Sequence, residues 1–221
     1  HVHLDGSLRL STLIDLARSG SVRLPSHEEA GLKEHIFKDQ YADLREYLAG
    51  FAYTCAVLQN PENLQRAAYE LAEDNLREGV RYIEVRFAPQ LHCHDHFNIV
   101  DVVKAVCAGL DMAKREHNLS ADVREGRDLP FEYGIIVCAL RSFHAEMAPY
   151  YERLLHVLSY APKKEVFAAA SLEMARAASV LAHREGLPVV GFDLAGEELG
   201  YPAIDHRAAY QYAHSHFIKK T

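Results

Sequence analysis

The run Ile135-Ile136-Val137-Cys138-Ala139-Leu140 is apolar at every position, whereas a strand with one face in water alternates apolar and polar residues. Such a run predicts a strand covered on both faces, and helical crossovers on a parallel sheet are the usual way to cover both. The flanking sequence supplies the helices. Leu64, Ala67, Ala68, Leu71, Ala72 and Leu76 recur at helical spacing between Glu62 and Glu78, and similar patterns cover Tyr41 to Gln59, Val100 to Glu116, Ala145 to Tyr160, Val166 to Glu185 and Pro202 to His216. Strand character appears at His1 to Leu4, Val80 to Ala88, Tyr133 to Leu140, Pro188 to Leu194 and from Phe217 onward. Ser11 is the expected cap of the first helix, Gly20 its end, and Ser120 to Leu129 reads as a polar loop.

Strand and helix alternate through the whole chain, which gives an α/β fold. No Gly-x-Gly-x-x-Gly or Gly-x-x-x-x-Gly-Lys follows any strand, so an open doubly wound nucleotide-binding sheet lacks its marker. The expectation is a closed (β/α)8 barrel. Four strands and the start of a fifth make roughly half of one, since such barrels take about 250 residues. His1 opens the sequence without an initiator Met and Phe217 to Thr221 reads as the opening of a strand. Residues 1–221 therefore read as a single incomplete barrel domain within a longer protein.

Composition removes several function classes. The formal charge of −7 over 221 residues argues against a nucleic-acid-binding protein. Ile135 to Leu140 is the longest apolar run, far short of the eighteen or so residues needed to span a bilayer. Cys55, Cys93, Cys107 and Cys138 are widely spaced with no Cys-x-x-Cys, which points to a reducing, cytoplasmic setting.

His1 and His3 are two apart on a strand and so project from one face. Two converging imidazoles suit a zinc ion, yet the spacing alone equally fits polar residues at a strand end. Asp5 and Gly6 follow, placing a carboxylate and a permissive backbone where barrel active sites are built. Glu84 and Arg86 share a strand face opposite Ile83, Val85 and Phe87, and a structural ion pair is the favoured reading. Gly196, in Asp193-Leu194-Ala195-Gly196-Glu197-Glu198, suits either close approach to a ligand or a plain turn. Arg141 reads as a rim charge rather than a ligand contact. His92-Cys93-His94-Asp95-His96 is a metal cluster by composition but reads as a solvated loop after Pro89. His183 and His206 need no special role.

Three segments together, His1-Val2-His3-Leu4-Asp5-Gly6-Ser7, Tyr82-Ile83-Glu84-Val85-Arg86-Phe87-Ala88-Pro89 and Val190-Gly191-Phe192-Asp193-Leu194-Ala195-Gly196-Glu197-Glu198, resemble the adenosine deaminase family in wording, order and spacing. The stretch from Asp205-His206 to Ala213-His214 is similar to the segment preceding that family's next metal-binding strand. The resemblance implies a zinc-dependent eightfold barrel of the amidohydrolase superfamily, with Zn2+ as cofactor and a small purine nucleoside as substrate. It implies that His1 and His3 are the first two zinc ligands and that Asp5 sits near the ribose. It further implies that the Gly196 amide meets a purine ring nitrogen and that Tyr47 and Phe51 cover the pocket. The family's third His ligand, its proton-shuttling Glu, its water-orienting His and its metal-binding Asp are expected after Thr221, so this chain holds none of the catalytic acid-base groups. The implied reaction is deamination of adenosine or deoxyadenosine. Adenine, a modified adenosine or an aminofutalosine-type nucleoside are the alternative substrates, and a catalytically silent relative is the alternative from another class. The chain departs from the family's best-known members at His92 to His96 and at Leu140-Arg141-Ser142, where the family varies with substrate.

Overall fold

Five strands form one parallel sheet in the order β1-β2-β3-β4-β5, so neighbours in the sequence are neighbours in the sheet. The computed structural model describes residues 1–216 and the backbone of Lys219 and Lys220. β1 (Val2–His3) leads through α1 (Leu10–Ser19), α2 (Glu29–His35), α3 (Leu44–Val57) and α4 (Pro61–Arg77) to β2 (Tyr82–Phe87). α5 (Ile99–Asn118) and the short α6 (Ala121–Arg124) precede β3 (Glu132–Leu140). α7 (Pro149–Val157) and α8 (Lys163–His183) then lead to β4 (Val189–Ala195), and α9 (Arg207–Ser215) to β5 (Lys219–Lys220). An open doubly wound sheet reverses its strand order at a switch point. The described strands never reverse, which is the winding of a (β/α) barrel.

Register divides the side chains between two faces. Val2 pairs with Val85 and Val85 with Ile135, and these residues belong to a core completed by Leu64, Ala68 and Leu71 from α4 and Val102, Val106 and Leu110 from α5. His3 pairs with Arg86, Arg86 with Ile136 and Cys138 with Asp193, a row on the opposite, inner face. Ile136 and Cys138 pack with Leu91, Phe143 and Phe167 instead. The fully apolar appearance of β3 follows: Gly134 through Ala139 are buried whichever face they take.

The helices start where the sequence offers caps. Asp43 accepts from the Glu46 amide at α3, Asn60 caps α4 ahead of Pro61, and Asn98 with Asp101 forms a reciprocal capping box on α5. α4 and α5 lie so close that a Cβ on Gly109 would stand 2.1 Å from the Gln65 carbonyl oxygen, so only glycine fits there. Two boundary expectations need correction. α1 begins at Leu10, and its N-cap position is Arg9, which makes no side-chain cap and lies two residues before the expected Ser11 cap. The Ser120 to Leu129 stretch contains a four-residue helix, because the Ser120 hydroxyl accepts from the Val123 amide and starts a turn. The expected strand residues Phe217 and Ile218 lie outside the described residues. Among the described residues no helix is long and apolar enough to cross a membrane.

Candidate active site

Beyond the carboxyl ends of the strands the loops enclose a cavity of about 1120 Å³. His3, Asp5, Tyr47, Phe51 and Gly196, drawn from three separate stretches of sequence, all line it. His1 does not: it is exposed, with Nε2 3.4 Å from Nη1 of Arg86.

Asp5 is placed by the turn that ends β1. The Leu4 amide donates to the Arg86 carbonyl, extending the β1–β2 ladder by one residue, and the Ser7 amide closes the turn on the Leu4 carbonyl. The carboxyl group is buried, and Oδ1 has no hydrogen-bond partner. Burial raises its pKa to about 6, while the amides of Asp5 and Gly6 and the charge of Arg86 act the other way. His3 Nδ1 is 3.9 Å from Asp5 Oδ1. Burial, followed by the Arg86 charge, lowers the His3 pKa, which keeps its imidazole neutral and its lone pair available.

An aromatic chain covers this end of the cavity. Tyr41 meets Tyr47 edge to face at 5.2 Å, Tyr47 meets Phe51 at 5.7 Å, and Phe51 meets His3 at 6.5 Å. Tyr47 is 45% exposed, so it forms a wall of the cavity and not part of the core. On the far side Gly196 has φ +107°, a conformation that L side chains rarely adopt, so its amide faces its surroundings without a Cβ beside it. Arg141 holds that loop, donating to the Tyr201 carbonyl at 3.1 Å and to Glu198 at 2.9 Å. The rim-charge expectation for Arg141 stands corrected on burial: its side chain is only 12% exposed.

Arg86 does form the expected buried ion pair, but its partner is Asp193, while Glu84 accepts from the Tyr82 hydroxyl. His206 was expected to be unremarkable and is instead buried on the cavity wall, with Nδ1 2.9 Å from the Ser171 hydroxyl. The solvated-loop reading of His92 to His96 fails at its first two residues. Pro89–His92 forms a 3-10 turn that tucks all four residues inside, and Cys93 is buried as well. His92 Nδ1 lies 2.9 Å from the Leu58 carbonyl, whereas His94, Asp95 and His96 are exposed.

Among the described residues the single group of three potential metal ligands is Asp5, Cys55 and His92. His1 and His3 suit zinc in kind, being imidazoles with one held neutral, and are short in number, since a catalytic zinc takes about three protein ligands.

The sequence profile described as "Adenosine deaminase" matches residues 1–221, the whole chain. The chain belongs to the adenosine deaminase family. It is 32% identical over 211 residues to a probable adenosine deaminase of Dictyostelium discoideum, covering 95% of this chain and 22% of that protein. It is 37% identical over 141 residues to an adenosine deaminase of Clostridium botulinum, covering 62% of this chain and 42% of that protein. The chain thus spans less than half the length of these curated relatives. An adenine deaminase from Arthrobacter aurescens superposes with a TM-score of 0.69 at 20% identity, over all of this chain and 54% of that one. Arabidopsis ADAL complexed with GMP gives 0.69 at 22% identity, over all of this chain and 55% of that one. A Burkholderia amidohydrolase with bound Zn gives 0.64 at 20% identity, over all of this chain and 49% of that one. At these identities the structural likeness establishes the fold: the sheet is that of the deaminase barrels.

Proposed function

We propose that this chain supplies the nucleoside-binding side of a zinc-dependent hydrolytic deaminase, whose substrate is adenosine or deoxyadenosine. The observation that carries the reading is convergence. His3, Asp5 and Gly196, from motifs nearly two hundred residues apart, line one cavity with Tyr47 and Phe51 at the strand ends of a barrel fold. Barrel enzymes place their chemistry at this end.

His1 and His3 would hold the zinc together with ligands outside this chain. When bound, zinc supplies a water acidic enough to act as hydroxide near neutral pH. In the overall reaction one water replaces the amino group at C6, giving inosine and ammonia. Asp5 accepts a hydrogen bond from a ribose hydroxyl, and the Gly196 amide donates to a ring nitrogen. Tyr47 and Phe51 lie over the purine and exclude bulk water, which strengthens both polar contacts.

A nucleoside suits the cavity better than a nucleotide. Of the four lysines and arginines on its wall, Arg45, Arg141 and Lys164 are already paired with Glu197, Glu198 and Asp205, leaving Lys163 as the one without an ion pair among the described residues to attract a phosphate.

Asp5→Ala tests the assignment with adenosine and a sugar-truncated adenine analogue as paired substrates. Loss of a charge-assisted hydrogen bond is worth about 1.5–3 kcal/mol, or roughly ten- to a hundredfold in kcat/KM. That loss is expected for adenosine and not for the analogue. An equal proportional loss for both compounds removes Asp5 from the ribose site.

A further inference from the structure

Asp5 has a second set of neighbours that do not line the cavity. Its turn after β1, the last helical turns of α3 and the 3-10 turn after β2 bring a carboxylate oxygen of Asp5, the thiol of Cys55 and a ring nitrogen of His92 within 4.8 Å of one another. All three residues are buried. Asp5 Oδ1 and His92 Nε2 are fully enclosed and have no hydrogen-bond partner. The other imidazole nitrogen, Nδ1, is engaged by the Leu58 carbonyl. As a carbonyl only accepts, Nδ1 carries the hydrogen and Nε2 presents a lone pair.

Enclosed electron-pair donors left without partners in one cluster are costly unless something positive stands among them. We propose that Asp5, Cys55 and His92 form a binding site for a divalent transition-metal ion of the zinc type. Thiolate, imidazole and carboxylate together are the donor mixture that selects such an ion over magnesium or calcium. Bonds of roughly 2.0–2.3 Å at tetrahedral angles place ligand atoms about 3.5 Å apart. The three atoms lie within 4.8 Å of one another, close enough for side-chain shifts of about an ångström to close the site. On binding, Cys55 Sγ gives up its proton to solvent and bonds the metal. The two charges of the ion are then balanced by the Cys55 thiolate and the Asp5 carboxylate, with His92 neutral.

The site also has a consequence for Asp5. Oδ1 cannot reach a substrate because it is enclosed, so a metal on Oδ1 would fix the carboxyl group and leave its other oxygen for the cavity. The Leu58–His92 contact serves as the outer support that metal-bound imidazoles normally have.

Cobalt(II) titration of the full-length protein tests the site independently of activity, because His1 and His3 carry no sulfur. A thiolate ligand gives cobalt an intense charge-transfer absorption in the near ultraviolet. The expected result is that this band rises to saturation, is absent in Cys55→Ser, and persists in Cys138→Ser. His92→Gln is expected to weaken cobalt binding at least about tenfold, the lower end even for partners that merely orient a ligand. Absence of the band in the wild-type protein overturns the proposal, as does a band that survives Cys55→Ser or disappears with Cys138→Ser. Should Cys55→Ser not fold, cobalt-soaked crystals of the wild-type protein decide the matter. An anomalous-scattering peak between Asp5, Cys55 and His92 supports the site, and a map without a peak there overturns it.

Discussion

Arg86 on β2 forms an ion pair with Asp193 on β4, so the contact passes over the inner face of β3. The two side chains are 14% and 9% exposed. A pair this enclosed adds little over apolar packing, but loss of one partner strands a charge. Arg86→Ala and Asp193→Ala are each expected to cost about 3–5 kcal/mol in denaturant unfolding. The double variant Arg86→Met/Asp193→Leu is expected to lose less than either. Single variants within about 0.5 kcal/mol of wild type would show that the pair is solvated.

At the opposite end of the barrel Arg81 grips Asp128 with two hydrogen bonds of 2.8 and 2.7 Å, joining the start of β2 to the segment before β3. The Arg81 guanidinium lowers the Asp128 pKa from 3.8 to about 2. A carboxylate with a lowered folded-state pKa stabilises fully above its unfolded value and loses that contribution as pH falls through the folded one. Stability should therefore decline between about pH 4 and pH 2 through this group. Asp128→Asn should be less stable than wild type at pH 6, with the gap narrowing toward pH 2. A gap that stays constant across that range would assign the acid sensitivity elsewhere.

Much of the fold was legible because the period of the sequence changes with each element. The strand boundaries of β2, β3 and β4 and the span of α4 follow within a residue or two from runs of apolar residues and their bounding Gly and Pro. α2 was not separable, since Leu32 is its only buried residue and one position carries no period. The site divides in the same way. His3, Asp5, Tyr47, Phe51 and Gly196 lie in or near motifs, and the cavity brings them together. His92 was misread because His, Cys and Asp in succession have the composition of a loop. The available signal was Pro89 and Leu91 directly after a buried strand, a pattern that starts a tight turn against the core. The His206–Ser171 contact joins positions 35 apart in sequence and left no local trace. Arg86 was read as paired, yet its partner on β4 emerges only from the sheet order.

His3 and His94 make opposite predictions about zinc. His3→Ala should lower bound zinc in the full-length protein by about one ion per chain, since it removes one of few ligands. His94 is exposed, with its ring at the Gln59 carbonyl and against Phe97, so His94→Ala should leave zinc content and activity nearly unchanged. Element analysis of dialysed protein reads both. Zinc retained in the His3 variant and lost in the His94 variant would move the ligands to the segment around His94.

The central claim, a metal-dependent purine deaminase built on this end of the barrel, is tested most directly by ammonia release from the full-length protein. Adenosine, deoxyadenosine, adenine and a modified adenosine are compared before chelation, after chelation and after zinc is restored. The account predicts ammonia and inosine from adenosine in equal amounts, loss of both on chelation, and recovery with zinc. No ammonia from any of these purines, or release indifferent to chelation, would contradict it.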